Sequence, residues 1–490
     1  MRLSDLVTAS HALTNDPEIL GITADSREVK PGYLFAALPG VSVDGATFIP
    51  QAIESGAAAI LAHTEHEAEY KGSAQDIETI FSDNPRHDLA MMASKYYPNQ
   101  PENIVAVTGS NGKTSVTHFC RQLWQCLDYT SASLGTIGIE APGFEQAGSM
   151  TTPDPVTLHS ELQEMEACGI SHVAMEASSH GLDQYRLDGI NLKAAAFTNL
   201  SRDHLDYHHT MDNYLAAKAR LFTEVLSKKG VAILNADIPE FEHLKSACES
   251  RNIKVIDYGY DAHEIQITER TIKPAGQFLK LRVLGEFFEI DLPLVGEFQA
   301  YNALCALGLI IGSHHGTQLR PYEAVTYLEN LQTVRGRMEY IGSSASGGHI
   351  YVDYAHTPDG LENVLKALRV HTDQKLCVVF GCGGDRDRGK RPQMGKIAHD
   401  LTDICIVTDD NPRTENADNI RSDIMSACPD ALNIGDRKHA IQKAIEQLEN
   451  GDILVVAGKG HETGQTIGDT VHPFDDAKVI RSILNIKKTA

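Results

Sequence analysis

The chain has 490 residues, 42% of them hydrophobic and 22% charged, which is the make-up of a globular protein too long for a single core. Its 43 Lys and Arg against 66 Asp and Glu give a formal charge of −23, which argues against a nucleic-acid or anionic-membrane partner but leaves room for a small anionic substrate held by local positive charge. The opening Met1-Arg-Leu-Ser-Asp5 has no apolar export segment, the longest apolar run (about Ala303 to Gly312) is too short to span a bilayer, and the nine cysteines show no pairing rhythm, so a cytoplasmic protein with reduced thiols is expected.

In chain order, Asp83-Asn-Pro-Arg86 reads as a turn and helix start, with the helix over Asp88–Tyr96. A break follows at Tyr97-Pro-Asn-Gln-Pro101. Ile104–Thr108 is then a short β-branched apolar run, as a buried parallel strand would show. It leads into Gly109-Ser-Asn-Gly-Lys-Thr-Ser115 and a helix from about Ser115. Gly109 and Gly112 let the backbone turn its N–H groups inward, Lys113 can reach terminal phosphates, and Thr114 can place a hydroxyl on Mg²⁺. Val107 stands where the standard P-loop has its first glycine, so the cradle is the variant G-x-x-G-K-T. Further strands at His172–Met175, Ala194–Thr198 and Val231–Leu234 alternate with amphipathic stretches of helix length, which predicts a mostly parallel sheet covered by helices.

Glu176 ends one of those strands, where a second Mg²⁺ ligand is expected. The next strand runs into Thr198-Asn-Leu-Ser-Arg-Asp-His-Leu-Asp-Tyr-His208, which suits either a polar loop or a metal site. Lys218 lies on a helix over Tyr214–Phe222 and could contact phosphate. A second break falls at Gln332 to Gly336, before a new strand pattern at Met338-Glu-Tyr-Ile341. Strands at Leu376–Phe380, Ile404–Thr408 and Ile453–Ala457 each precede a polar or glycine-rich loop, and ligands of open α/β sheets bind beyond such strand ends.

Gly109-Ser-Asn-Gly-Lys-Thr114, Met175-Glu-Ala-Ser-Ser-His180, Asn199-Leu-Ser-Arg-Asp-His-Leu-Asp206 and Asp353-Tyr-Ala-His-Thr-Pro358 together resemble the Mur ligase family. These are ATP-dependent amide-bond-forming enzymes of peptidoglycan synthesis, and the resemblance runs the full length in order. It implies an α/β protein of three domains: a small uridine-nucleotide domain that binds UDP-MurNAc (1–97), a central P-loop ATPase-like parallel-sheet domain (98–332), and a C-terminal Rossmann-like domain for the amino acid (333–490). Asp25-Ser-Arg-Glu-Val-Lys-Pro-Gly32, Gly381-Cys-Gly-Gly-Asp-Arg-Asp387, Asp410-Asn-Pro-Arg413 and Gly458-Lys-Gly-His-Glu462 resemble the branch that adds meso-diaminopimelate to the γ-carboxylate of D-Glu in UDP-MurNAc-L-Ala-D-Glu.

The resemblance also implies roles. ATP would lie on Gly109, Ser110, Asn111, Gly112, Lys113, Thr114 and Ser115, with Asn302 at the adenine, Asp353 at the ribose, and Arg337 and His356 close by. Thr114 and Glu176 would hold one Mg²⁺ and His204 would help hold a second. Lys218 matches the family's carbamylated lysine (N6-carboxylysine), a CO₂ adduct whose anion can ligate Mg²⁺. Lys113, Glu176, His204 and Lys218 form the implied catalytic set. Ser26, Thr151, Thr152, Ser178, Gln184 and Arg186 match positions that hold the UDP-muramoyl dipeptide. Arg386, Asp410, Asn411, Pro412, Arg413, Gly458 and Glu462 match the diaminopimelate site. There Arg413 can grip the distal carboxylate with two parallel hydrogen bonds, and Glu462 can accept from the distal ammonium.

Val41-Ser-Val-Asp-Gly45 departs from the more polar segment of many relatives, which leaves uridine contacts there unassigned. The implied reaction phosphorylates the γ-carboxylate, and the amine at the L-centre of diaminopimelate then attacks the acyl phosphate. A hinge around Thr333 to Gly336 and a monomer free of nucleic acid and membrane are expected. The competing readings are an L-lysine-adding ligase, which Arg413 opposes, a folylpolyglutamate synthetase, which Asp25–Val29 opposes, and a P-loop switch NTPase, which would need switch loops and a partner surface.

Overall fold

A computed structural model describes every residue except 8–12, 41–42, 71–76, 149, 274–275, 315–320 and 486–490. Val41 and Ser42 thus lie outside the described residues. The described strands form three main sheets and one small hairpin. The first sheet is parallel and runs in chain order through Gly21–Thr23, Tyr33–Ala37, Ala59–His63 and Glu78–Ser82.

The second sheet has eleven strands. Its parallel middle runs Lys254–Gly259, Val231–Asn235, Leu192–Phe197, Asn103–Thr108, His172–Glu176, Ser131–Gly135. Every residue of Asn103–Thr108 is buried, because helices cover both faces. Val105 and Val107 pack with Val116, Phe119 and Leu304 on one side, while Ile104 and Ala106 meet Leu158, Leu162 and Met165 on the other. Val107 pairs with Glu176 and Thr108 with Phe197, so the P-loop, Glu176 and the loop after Phe197 leave the sheet side by side.

The expectation of a parallel central sheet needs correction at its flanks. Gly138–Ala141 and Phe144–Ala147 add antiparallel strands at one edge, and Ile265–Lys273, Gly276–Val283 and Glu286–Leu292 form an antiparallel meander at the other. The meander's burial alternates along Gly276–Val283, as expected where only one face of the ribbon meets the core.

The third sheet orders Glu339–Ser343, His349–Asp353, Ile453–Ala457, Leu376–Phe380, Ile404–Val407 and Leu432–Asn433, antiparallel only at its first strand. The helix after the P-loop begins at Lys113 rather than Ser115, and that of the first domain at Pro85 rather than Asp88. Among the described residues no helix is long and apolar enough to cross a membrane. Ala303–Gly312 lies inside the buried helix Glu297–Ser313. All nine cysteines are free thiols.

The linker into the third domain is fastened at its first residue by the Gln122 side chain. Gln122 accepts from the Gln332 N–H at 2.8 Å and donates back to its carbonyl at 3.1 Å. Within the third domain, Arg437 and Asp476 form a fully buried pair, with Nε to Oδ1 at 2.8 Å and an Nη to Oδ2 at 2.7 Å; the same Nη donates to the Ala457 carbonyl. Removing one partner strands a buried charge, so Asp476→Ala is expected to destabilise this domain by about 3–5 kcal/mol. Urea unfolding would show it as a lowered midpoint, and an unchanged midpoint would refute the estimate.

Candidate active site

The phosphate cradle depends on two glycines. Gly109 (φ 141°) and Gly112 (φ 88°) lie in the region that side chains disfavour, and a Cβ would overlap the Thr198 hydroxyl at the first and the Asn302 amide at the second. Lys113 folds over the loop, donating to the carbonyls of Gly109 and Ser110, both at 2.9 Å. Its enclosure in protein pushes the ammonium pKa below the usual lysine value, against the pull of Glu176 and Asp203.

Beside it, Glu176 is buried at its strand end. Its carboxylate accepts from the Thr136 N–H and hydroxyl, both at 3.0 Å, and Thr136 in turn meets the Thr151 hydroxyl at 3.1 Å. Lys218 reaches in from the helix Met211–Arg220, 1% exposed, donating to Gly109 O at 2.8 Å with its Nζ 4.4 Å from the Tyr214 ring centre. Burial first, and then the Lys113 charge, push its pKa well below the ordinary lysine value, with Asp203 opposing. His204 (φ 53°) sits at the start of a short turn of helix, 3.4 Å from Asp203, and burial lowers its pKa to about 4 although Asp203 opposes. Ser110 to Thr114, Glu176, His204 and Lys218 face one cavity together with Arg337 and His356.

Four dipeptide candidates form a network that starts from Glu176, and of these four Ser178 alone lines this cavity. Thr152 donates to Glu176 O at 2.8 Å and accepts from the Ser178 N–H at 3.0 Å. Arg186 donates to Thr152 O at 2.6 Å and to Gln184 Oε1 at 2.8 Å. Thr151 joins through Thr136. Ser26 is not brought here: it sits on the turn after Gly21–Thr23 in the first sheet.

A second cavity, of about 300 Å³, lies between the central and third sheets. Asn111, Gly112, Thr114, Ser115, Asn302, Arg337, Asp353 and His356 line it with Phe298 and Tyr301. Asp353 is buried, accepting from the Met338 and Ala355 N–H groups at 2.7 and 2.8 Å. Burial raises its pKa to about 6, while Arg337 and those hydrogen bonds oppose. Arg337 donates to the Thr114 hydroxyl at 3.0 Å and lies over the Tyr354 ring at 4.4 Å. The sequence reading missed Phe298 and Tyr301 as walls, although both fall inside Gly296–Asn302. It also missed Asp359, which accepts from Asn111 Nδ2 at 2.7 Å, and Lys390, which donates to His356 O at 2.8 Å.

A third cavity, also about 300 Å³, is lined by Arg386, Asp410, Asn411, Arg413, Gly458 and Glu462 on the third domain and by Arg202, Asp203 and His204 on the central one. Pro412 is not among its lining residues; its carbonyl backs onto Gly384, where a Cβ would overlap it. Arg413 takes the left-handed conformation (φ 51°). An Nη donates to Gly384 O at 2.8 Å, while its backbone bridges to the hairpin Gly464–Ile467 and Thr470–Pro473. The second and third cavities share Tyr354 and His356, and the third shares Asp203 and His204 with the P-loop cavity.

Family profiles agree with this layout. One described as "Mur ligase family, catalytic domain" matches residues 18–97, "Mur ligase middle domain" matches 107–310, and "Mur ligase, glutamate ligase domain" matches 336–460. The UDP-N-acetylmuramoyl-L-alanyl-D-glutamate–2,6-diaminopimelate ligase of Agrobacterium fabrum is 46% identical, covering 95% of this chain and 93% of that protein. The protein of that name from Rhizobium meliloti is 48% identical, covering 95% and 94%. A solved structure of a protein so named superposes with a TM-score of 0.70 at 32% identity, over 99% of both chains. Folylpolyglutamate synthase from Mycobacterium tuberculosis shares the fold, with a TM-score of 0.65 at 20% identity over 81% of this chain and 94% of that one. With three matching profiles in order and relatives near half identical along almost the whole length, the chain belongs to the Mur ligase family.

Proposed function

We propose that this protein is the ATP-dependent ligase that joins meso-2,6-diaminopimelate to the γ-carboxylate of D-Glu in UDP-MurNAc-L-Ala-D-Glu, a step of peptidoglycan precursor synthesis. The observation that carries this is the joining of cavities: the one holding Arg413 and Glu462 shares Asp203 and His204 with the one holding the P-loop. An amine held in the first can meet a carboxylate activated in the second.

In this reading Lys113 and the P-loop N–H groups hold the transferring phosphate of ATP, Asn302 and Asp353 hold the nucleoside, and Arg337 and His356 close over it. Thr152, Ser178, Gln184 and Arg186 orient the dipeptide, and Ser26 meets the uridine end. Arg413 and Arg386 take the distal carboxylate of diaminopimelate, and Glu462 its ammonium. The attacking amine displaces phosphate from the acyl phosphate, and positioning supplies most of the rate.

The donors at the P-loop cavity suit Mg²⁺, with a buried carboxylate (Glu176) and a hydroxyl (Thr114) as hard oxygen ligands. His204 would assist a second ion. When bound, Mg²⁺ would neutralise charge developing on the phosphoryl oxygens. Lys218 suits the carbamate: burial lowers its pKa and so favours the neutral amine, the form that adds CO₂. The proposed domain limits are 1–97, 98–332 and 333–490, with a hinge near Thr333 to Gly336, in a cytoplasmic monomer.

Phosphate release with ATP, Mg²⁺ and UDP-MurNAc-L-Ala-D-Glu tests the proposal, with meso-diaminopimelate and L-lysine run in parallel. Turnover with diaminopimelate alone is expected. Turnover with lysine instead would overturn the role of Arg413, and none with either would overturn the reaction.

A further inference from the structure

Lys459 has no part in the roles assigned above, yet its side chain is 0% exposed. An ammonium is carried so deep only where hydrogen bonds replace its water. Its Nζ donates to Asn411 Oδ1 and to Glu462 Oε2, both at 2.9 Å. Asn411 closes a triangle, since its Nδ2 donates to the same Glu462 Oε2 at 2.9 Å. The Thr466 N–H adds a second donor to Asn411 Oδ1 at 3.0 Å. Three separate pieces of the third domain therefore meet at Asn411 Oδ1: its own loop after Ile404–Val407, Lys459 from the loop after Ile453–Ala457, and the Thr466 N–H of the hairpin strand Gly464–Ile467.

Two consequences follow from donor and acceptor counting. The Asn411 amide can point only one way, because an ammonium and a backbone N–H both face its oxygen. Glu462 Oε2 already receives two donors, whereas Oε1 has no hydrogen bond among the described residues. Asn411 is then mainly a brace, and Glu462 offers one oxygen rather than two.

We propose that Lys459 is a positioning residue for amino-acid recognition: its buried ammonium locks the Asn411 amide and commits Glu462 Oε2, so that Oε1 alone is presented to the ammonium of the incoming diamino acid. This rests on the reading of the third cavity as the diaminopimelate site. A purely stabilising role explains the lysine less well, because a buried ion pair adds little over an apolar pair of the same shape.

The test is a double-mutant cycle of Lys459→Met and Glu462→Gln, with full steady-state kinetics on the intact enzyme. K459M is expected to raise KM for diaminopimelate by about 10- to 100-fold, as loss of a charged hydrogen bond does. KM for ATP and for the UDP-linked dipeptide should stay within about twofold. Combined with E462Q, K459M should cost little more than E462Q alone, because both act on one interaction. Additive losses, or equal rises in all three KM values, would overturn the inference. Should K459M fail to bind ADP, Lys459→Gln, which keeps a polar group in the cavity, is judged by the same criteria. Wild-type enzyme idle with diaminopimelate would overturn the pocket assignment itself; an active wild type with an indistinguishable K459M overturns only the role of Lys459.

Discussion

Lys218→Met should lower kcat by about 10²- to 10³-fold, the usual loss when a charge-stabilising group leaves an active site. Methionine fills the same space, so the helix Met211–Arg220 should persist and ADP affinity should change little. A side chain bracing Gly109 O and a CO₂ adduct facing the cavity would both be lost in this variant, so a second measurement separates them. If the adduct is what matters, removing bicarbonate should slow the wild-type enzyme, and its return should restore activity. The pH dependence has a definite sign. Burial holds the Lys218 pKa well below the usual value, which favours the neutral amine that CO₂ can add to. Acidification returns the proton, and activity should fall as pH drops and recover as it rises. Wild-type activity indifferent to bicarbonate would leave Lys218 as a brace only.

Arg413→Met should reduce kcat/KM for diaminopimelate by about 10³- to 10⁴-fold without making L-lysine a worse substrate than it is for the wild type. The two amino acids differ by one distal carboxylate, and a planar guanidinium can hold it with two parallel bonds. Arg413 is prepared for this by its surroundings, with one Nη fixed on Gly384 O at 2.8 Å and its backbone tied to Thr466 and Gly468. Arg413→Lys keeps the charge but loses the fork, so it should recover only a small part. Parallel kinetics on both amino acids decide the matter. Undiminished preference for diaminopimelate in Arg413→Met would move the discrimination to Arg386.

One tetrapeptide shows how far the sequence could be read. Asp-Asn-Pro-Arg occurs at 83–86 and again at 410–413. In the first copy Asn84 accepts from the His87 N–H at 3.2 Å and Pro85 opens a helix, as capping chemistry predicts. In the second, Asn411 is buried against Lys459, and Arg413 turns left-handed to face a cavity. Local chemistry fixed the first, and only the position beyond a strand of the third sheet pointed to the second.

The P-loop and Glu176 were equally legible, because strand, turn and helix signals sit within a few residues. Arg337 on Thr114 and Asn111 on Asp359 span 223 and 248 positions, and no local pattern announces such pairs. The flanking antiparallel strands escaped for another reason. They alternate polar and apolar residues at the sheet's margins, where the central pattern of continuous apolar runs no longer applies.

Arg337 and Asp359 belong to the third domain, but the groups they hold, Thr114 and Asn111, belong to the P-loop. On the proposed assignment, nucleotide and amino acid would sit on opposite flanks of a single seam, and thermodynamic reciprocity would link them: whatever factor one ligand adds to the other's affinity is returned in full. A compound wedged into that seam would weaken both ligands at once while occupying neither pocket, and raising the ATP concentration would not simply outcompete it.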